Sequence, residues 1–318
     1  LINRWTKNSY STQLASIVIE KDKYYDLKVE FYEPAGNARI KLVWDAGIDS
    51  SWQQQLNEAV ATARKAAVAI IAAGIHEGEF QDRANLSLPG HQQALINAVA
   101  ATGTPVVVVL TGGSAITMGS WINNVAAVLH AWYPGEEGGH AVANVLFGRY
   151  NPAGRLPITF PQQEGQLPLV YNHLPTGRGD DYYDLSGLPQ FPFGYGLSYT
   201  QFSYQQMRLS KTVMAPTDST VVTCQVTNTG NMAGDEVVQL YIRDILASVA
   251  RPVLELKDFK RIHLLPGQTT QVSFTISPAM LTMLNQQLLP VIEPGDFRIM
   301  IGSSSRDLQL KGTLTIKE

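Results

Sequence analysis

Val68-Ala69-Ile70-Ile71-Ala72-Ala73-Gly74-Ile75-His76-Glu77-Gly78-Glu79-Phe80-Gln81-Asp82-Arg83 changes character halfway along. The opening run is apolar and rich in β-branched side chains, too short for a buried helix and suited to a buried parallel strand. The second half reads as a loop leaving the carboxyl end of that strand, with Glu77, Glu79, Asp82 and Arg83 close together in it. In open α/β sheets, ligands gather at the carboxyl ends of strands. A carboxylate placed there can serve as an acid or a base. The same residues are equally compatible with a solvated charged loop.

Downstream of this loop, Pro89-Gly90 introduces an expected helix with Leu95, Ile96 and Val99 inward and Gly103 as its stop. A strand at Val106 to Leu110 runs into Thr111-Gly112-Gly113-Ser114, and a short helical stretch reaches Asn124. Ala126 to Ala131 reads as the next strand, followed by Trp132-Tyr133-Pro134-Gly135-Glu136-Glu137-Gly138-Gly139 and a helix from about His140 to Phe147 that ends at Gly148. Upstream, Asp49 or Ser50 can cap a helix carrying Trp52, Leu56, Val60, Ala63 and Ala67 on one face. Repeated alternation of strand and helix predicts a parallel sheet, joined by right-handed crossovers and covered on both faces. The loops at Glu79, at Thr111 to Ser114 and at Trp132 to Glu137 then leave the same sheet edge. Gly112, Gly113, Gly135, Gly138 and Gly139 permit close backbone approach there, although turn and helix-packing geometry accounts for most of them. No Gly-x-Gly-x-x-Gly or P-loop spacing comes after a strand, so no nucleotide cofactor is expected.

The flanks have a period of two. Ala15 to Ile19, Tyr25 to Phe31 and Ile40 to Trp44 read as short strands, the last two separated by the turn Glu33-Pro34-Ala35-Gly36-Asn37. So little antiparallel sheet buries too little apolar surface to fold alone. The start, Leu1-Ile2-Asn3-Arg4-Trp5, has neither an initiator Met nor a signal-peptide pattern and reads as internal to a longer sequence. Asn151 to Tyr199 is rich in Pro and Gly, and a connection of that length is more often a functional covering loop than a passive linker. Its patch Asp180-Asp181-Tyr182-Tyr183-Asp184 could face a sugar or solvent, and solvent is favoured. From about Phe202, strands at Thr220 to Thr227, Glu236 to Ile242, Leu256 to Ile262, Thr270 to Ile276 and Phe297 to Ile301 suit an antiparallel sandwich of the immunoglobulin or fibronectin class. No cluster of titratable residues stands out in it, which favours a scaffolding role.

Composition narrows the function classes. The chain has 318 residues, enough for about two domains, and a net charge of −3 with no basic tract. Nucleic acid and anionic membrane are therefore not expected partners. No apolar run reaches the roughly 18 residues of a membrane span. The single cysteine, Cys224, excludes an intrachain disulfide and a Cys-rich metal site and is expected to be a small core residue in a strand. No metal is expected.

With these residues in view, the chain resembles the C-terminal half of a glycoside hydrolase family 3 β-glucosidase. Four stretches carry the resemblance: Glu79 to Pro89, Trp132 to Gly139, Asn151-Pro152-Ala153-Gly154-Arg155-Leu156-Pro157, and Phe191-Pro192-Phe193-Gly194-Tyr195-Gly196-Leu197-Ser198-Tyr199. Asn228-Thr229-Gly230 with Leu265-Pro266-Gly267 looks like the family's fibronectin type III-like domain, and residues 1–45 look like the end of a PA14 domain. The resemblance implies an α/β sandwich domain over residues 46–200 and an all-β fibronectin type III-like sandwich over 201–318. It further implies a retaining β-glucosidase acting on β-linked glucosides or oligosaccharides, secreted or periplasmic, with no cofactor and with a homodimer as one assembly open to it.

A retaining glycosidase uses two carboxylates about 5 to 5.5 Å apart, one protonating the glycosidic oxygen and one attacking the anomeric carbon. Counting back from Arg83, the resemblance places the general acid/base on Glu79, with Glu77 as runner-up because the loop varies in length. Arg83 would depress a carboxylate it paired with. It is therefore expected to pair with Glu77, Asp82 or backbone carbonyls and to leave Glu79 free. The family nucleophile is an aspartate on an N-terminal (β/α)8 barrel, which this sequence does not contain, so that barrel is the expected partner. Two other readings stay open: a β-xylosidase or xyloglucan-oligosaccharide hydrolase of the same family, and a non-catalytic carbohydrate-binding module.

Overall fold

The computed structural model describes residues 2, 3, 13, 15, 17–32, 40, 42, 48–80, 82–176 and 181–317. The chain divides into two units, Leu1–Gln53 and Gln54–Glu318. In the first, residues 17–32 run extended around a turn at Lys21-Asp22, where Asp22 is left-handed with φ 66°. Val18, Tyr24 and Leu27 are exposed. Tyr25 to Phe31, expected as a strand, joins no sheet among the described residues. Alternation alone does not make a strand, because a second backbone must complete the ladder. The expected strands at 15–19 and 40–44 lie partly or mostly outside the described residues, and the turn at 33–37 lies wholly outside them.

Helix α1 (Ile48–Ala63) leads to strand β1 (Ala69–Gly74). Leu56 and Val60 are half-buried and Ala63 is buried, whereas Ala67 falls beyond the helix end and is exposed. Helix α2 (Gln92–Ala100) buries Ile96 and Val99 and is followed by Gly103 at φ 82°. Strands β2 (Val106–Thr111) and β3 (Ala127–His130) complete a parallel sheet in the order β1-β2-β3. Helix α3 (Gly138–Leu146) comes next, two residues ahead of Gly148 at φ 69°.

One face of this sheet makes the core. Ile71, Ala73 and Ile75 pack with Val106, Val108 and Leu110, against Ile96, Val99 and Trp121. Burial of each Val or Ile here is worth about 1.5 to 3 kcal/mol. The expectation of a sheet covered on both faces does not hold over β1. Ile70, on its other face, is 52 % exposed and Ala72 is exposed as well. Both α2 and the end of α1 join the same core, so among the described residues neither helix covers the opposite face of this edge strand.

Residues 151–176 and 181–201 belong to a strap between the α/β layer and the sandwich. Phe160 bridges to Phe191 and enters the α/β core. Arg155 donates two bonds to Glu236 from one nitrogen, at 2.9 and 3.0 Å, with side chains 9 % and 4 % exposed. In the acidic and aromatic patch, Asp181 accepts from the Gly187 amide at 2.8 Å and Tyr183 is exposed, while Asp180 lies outside the described residues.

The sandwich begins with β4 (Phe202–Leu209), β5 (Val213–Met214), β6 (Thr220–Asn228) and β7 (Gly234–Asp244). It continues with β8 (Glu255–Leu264), β9 (Thr269–Ile276), a short helix α4 (Pro278–Leu281) and the small hairpin β10 (Met283–Leu284) and β11 (Pro290–Val291). Strands β12 (Gly295–Gly302) and β13 (Leu310–Ile316) close it. One sheet has the order β5-β13-β12-β7-β8 and the other β4-β6-β9. The sandwich is not wholly antiparallel, because β5 pairs with β13 in parallel. Val222, Cys224 and Val226 alternate into the core against Phe297, Ile299 and Ile301. Cys224 is thus a buried strand residue, and burial pushes its thiol up to about 11. Asn228, fully buried, is satisfied throughout: its amide donates to Met232 and Leu264 carbonyls at 2.7 and 3.0 Å, and its oxygen accepts from Thr200 at 2.6 Å and the Gly230 amide at 3.1 Å.

Candidate active site

Three loops leave the carboxyl ends of β1, β2 and β3 side by side. Their bases continue the sheet pairing, with Ile75 N–H donating to Thr111 at 2.9 Å and Gly112 N–H to Trp132 at 3.1 Å. On the outer side of β1, the Gln92 amide accepts from Gly74 N–H at 2.7 Å and donates to Gly74 C=O at 2.9 Å.

Glu77 is where the loops meet. One carboxylate oxygen accepts from Gly113 N–H at 2.7 Å and from the Tyr133 hydroxyl, and the other accepts from the Ser114 hydroxyl. Arg83 stands 3.9 Å from the Ser114-bonded oxygen, donates to Ser114 Oγ at 3.1 Å and donates to the Ser87 carbonyl at 3.2 Å. The Glu77 side chain is only 19 % exposed. The Ser114 hydrogen bond does most to hold Glu77 below its ordinary value of 4.5, followed by that of Tyr133; together with Gly113 and Arg83 they outweigh partial burial. Tyr133 is raised in turn, chiefly by its bond to Glu77. Glu77 is accordingly a fixed carboxylate at neutral pH.

The loop conformation is costly and closely fitted. Trp132 takes φ 54°, a left-handed conformation that is an outlier for a bulky aromatic, and the next residue, Tyr133, is the one that reaches Glu77. A Cβ at residue 113 would collide with the Tyr133 ring, so Gly113 is required for that approach. Phe80, at φ 61° and 89 % exposed, occupies the tip of the first loop.

Glu79 is exposed in the turn beside Phe80, with no hydrogen bond or ion pair to any described residue. The structure therefore separates the two glutamates by environment. Arg83 stands beside Glu77 and not beside Glu79. Beneath the loops, His130 packs against Trp132 and Phe160, with ring centroids 4.3 and 5.6 Å away. Burial holds it below its ordinary value, against the pull of the Glu77 charge.

The sequence singled out Glu77, Glu79 and Arg83 and brought the loops holding Ser114 and Tyr133 to the same sheet edge, but it gave no role to Ser114, Tyr133 or His130. The glycines in the second and third loops were the available signal for close approach, and a histidine ending an apolar strand was the signal for His130. Among the described residues no three His, Cys, Asp or Glu side chains gather as a metal site, and no helix is long and apolar enough to cross a membrane.

Residues 4–199 are matched by the glycosyl hydrolase family 3 C-terminal domain and residues 236–305 by a fibronectin type III-like domain. A beta-xylosidase of Formosa agariphila is 43 % identical over 288 residues, covering 88 % of this chain and 40 % of that protein. A periplasmic beta-glucosidase of Salmonella typhimurium is 41 % identical over 266 residues, covering 80 % of this chain and 35 % of that protein. Among solved structures, a beta-glucosidase from Listeria innocua in complex with glucose superposes with a TM-score of 0.80 at 32 % identity, over 84 % of this chain and 39 % of that one. The chain thus spans between 35 % and 40 % of the length of these relatives. An α/β layer followed by a fibronectin type III-like sandwich, with both domains and these homologues matching, makes the chain a member of glycosyl hydrolase family 3.

Proposed function

We propose that this chain supplies the general acid/base of a retaining β-glycosidase, with Glu79 in that role, and that the nucleophilic aspartate sits on a (β/α)8 barrel outside the chain. The observation that carries the proposal is the contrast within Glu77-Gly78-Glu79. Glu77 is committed to Gly113, Ser114 and Tyr133, whereas Glu79 is exposed at the strand end with no described partner. An acid/base must give up and recover a proton in each cycle, and a carboxylate held ionised by three donors is poorly suited to that. Glu79 gives its proton to the departing glycosidic oxygen as the aspartate attacks the anomeric carbon. It then takes a proton from the water that releases the sugar.

A terminal β-glucosyl residue is the leading glycone, because the β-glucosidases from Salmonella typhimurium and Listeria innocua are among the relatives. The Formosa agariphila protein, named a beta-xylosidase, favours a pentosyl glycone as the second reading. The periplasmic beta-glucosidase among the relatives supports a secreted or periplasmic location. Residues 1–45 are proposed as the end of a PA14-like domain, on the strength of their alternating apolar residues.

In the full-length protein, Glu79→Gln should slow cleavage of an aryl glycoside with a poor leaving group by roughly 10² to 10⁴. With a good leaving group the variant should show a burst followed by slow deglycosylation, and azide should restore turnover as a glycosyl azide. Wild-type turnover in Glu79→Gln, with these losses in Glu77→Gln instead, would transfer the role to Glu77. Unchanged turnover in both would favour a non-catalytic carbohydrate-binding module.

A further inference from the structure

We infer that Glu77 is a positioning residue: its carboxylate fastens the loops after β1, β2 and β3 to one another and so fixes where Glu79 stands. This rests on the reading of Glu79 as acid/base. Glu77 lies two residues before Glu79 and is tied to the second loop through Gly113 N–H and Ser114 Oγ, and to the third through the Tyr133 hydroxyl. On the far side of Glu79, Arg83 is tied to the same Ser114 Oγ and to Ser87. Both ends of residues 78–82 are therefore pinned to one point on the second loop. Without these ties the free stretch would reach from Ile75, bonded to Thr111, to Leu86, whose N–H donates to Glu164 at 2.7 Å. A longer free loop samples more positions, and a misplacement of about 1 Å can cost on the order of 10²-fold in rate. Tyr133 is 65 % exposed and yet oriented, because its ring lies over Gly113 and its hydroxyl is held by Glu77. The third loop thus takes part through a single hydrogen bond.

The test uses the full-length protein in six forms: Glu77→Gln, Tyr133→Phe, Gly113→Ala, Glu79→Gln, and Glu77→Gln combined with Tyr133→Phe or with Gly113→Ala. Gly113→Ala pushes the Tyr133 ring away without altering the Glu77 side chain. Glu77→Gln should lower kcat on a poor leaving group by about 10- to 100-fold with KM nearly unchanged, and azide should yield no glycosyl azide because Glu79 is still present. Tyr133→Phe and Gly113→Ala should each give a smaller loss that does not add to that of Glu77→Gln, because all three act through one carboxylate. Hydrogen exchange at Gly113 N–H and across residues 78–82 should accelerate in Glu77→Gln and not in Glu79→Gln. A glycosyl azide from Glu77→Gln would show that Glu77 exchanges protons with substrate and would overturn the inference. So would wild-type kcat in Glu77→Gln accompanied only by a lower melting temperature. Wild-type turnover in Glu79→Gln would instead overturn the acid/base reading, and the exchange data would then decide the fastening role by themselves.

Discussion

Glu77 and Glu79 are the same residue type two positions apart, and their difference comes chiefly from neighbours distant in sequence. Gly113, Ser114 and Tyr133 come from later loops, so no local pattern around Glu77 could reveal them. Legible in the sequence were the strand end, the cluster of charges and the expectation that Arg83 leaves Glu79 free. The direction of the Glu77 shift has a consequence for pH. Because its folded value lies below the ordinary 4.5, its contribution to loop order is fully present above that value and is lost as pH falls through the depressed one. Protection of Gly113 N–H against exchange should therefore stay level from neutral pH down past 4.5 and drop only below it. A drop that begins at or above the ordinary 4.5 would show that a group other than Glu77 governs the protection.

Among the elements, the β-branched runs at Ile70 and at Val106 to Val109 read directly as parallel strands, and the glycines at 103 and 148 mark helix ends with left-handed backbone. Two features were not readable. Periodicity shows that a strand has two apolar faces but not which of them a helix will cover, so the exposure of Ile70 was missed. A parallel contact as short as that between β5 and β13 leaves no sequence pattern of its own. The strap was underestimated in another way, since its Pro and Gly content concealed the partners of its few polar residues. Arg155 and Glu236 form a nearly solvent-free pair between strap and β7. Arg155→Ala should destabilise the protein by about 3 to 5 kcal/mol, because it leaves a buried carboxylate uncompensated. Replacing both members with apolar residues of similar volume should cost far less. Equal losses in denaturant titrations of the single and double variants would show that packing, not charge, carries the effect.

For the molecule as a whole, the sandwich and the strap form one mechanical body. Asn228 relies on Thr200, and Glu236 on Arg155, so a sandwich cut at Phe202 loses partners for two of its buried polar groups. A fragment begun at Asn151 should melt at a higher temperature than one begun at Phe202; equal temperatures would mean the strap adds nothing. In the α/β layer, β1 has a neighbour on one side only among the described residues. A bare strand edge is a template on which a foreign chain can add itself. The Gln92 side chain already makes, at Gly74, both hydrogen bonds that a residue of such a chain would offer. It occupies the Gly74 backbone one residue short of Ile75, so a strand added along β1 would find those two groups already bonded. The last outward-facing backbone groups of β1 are thus closed by a single amide from the first turn of α2.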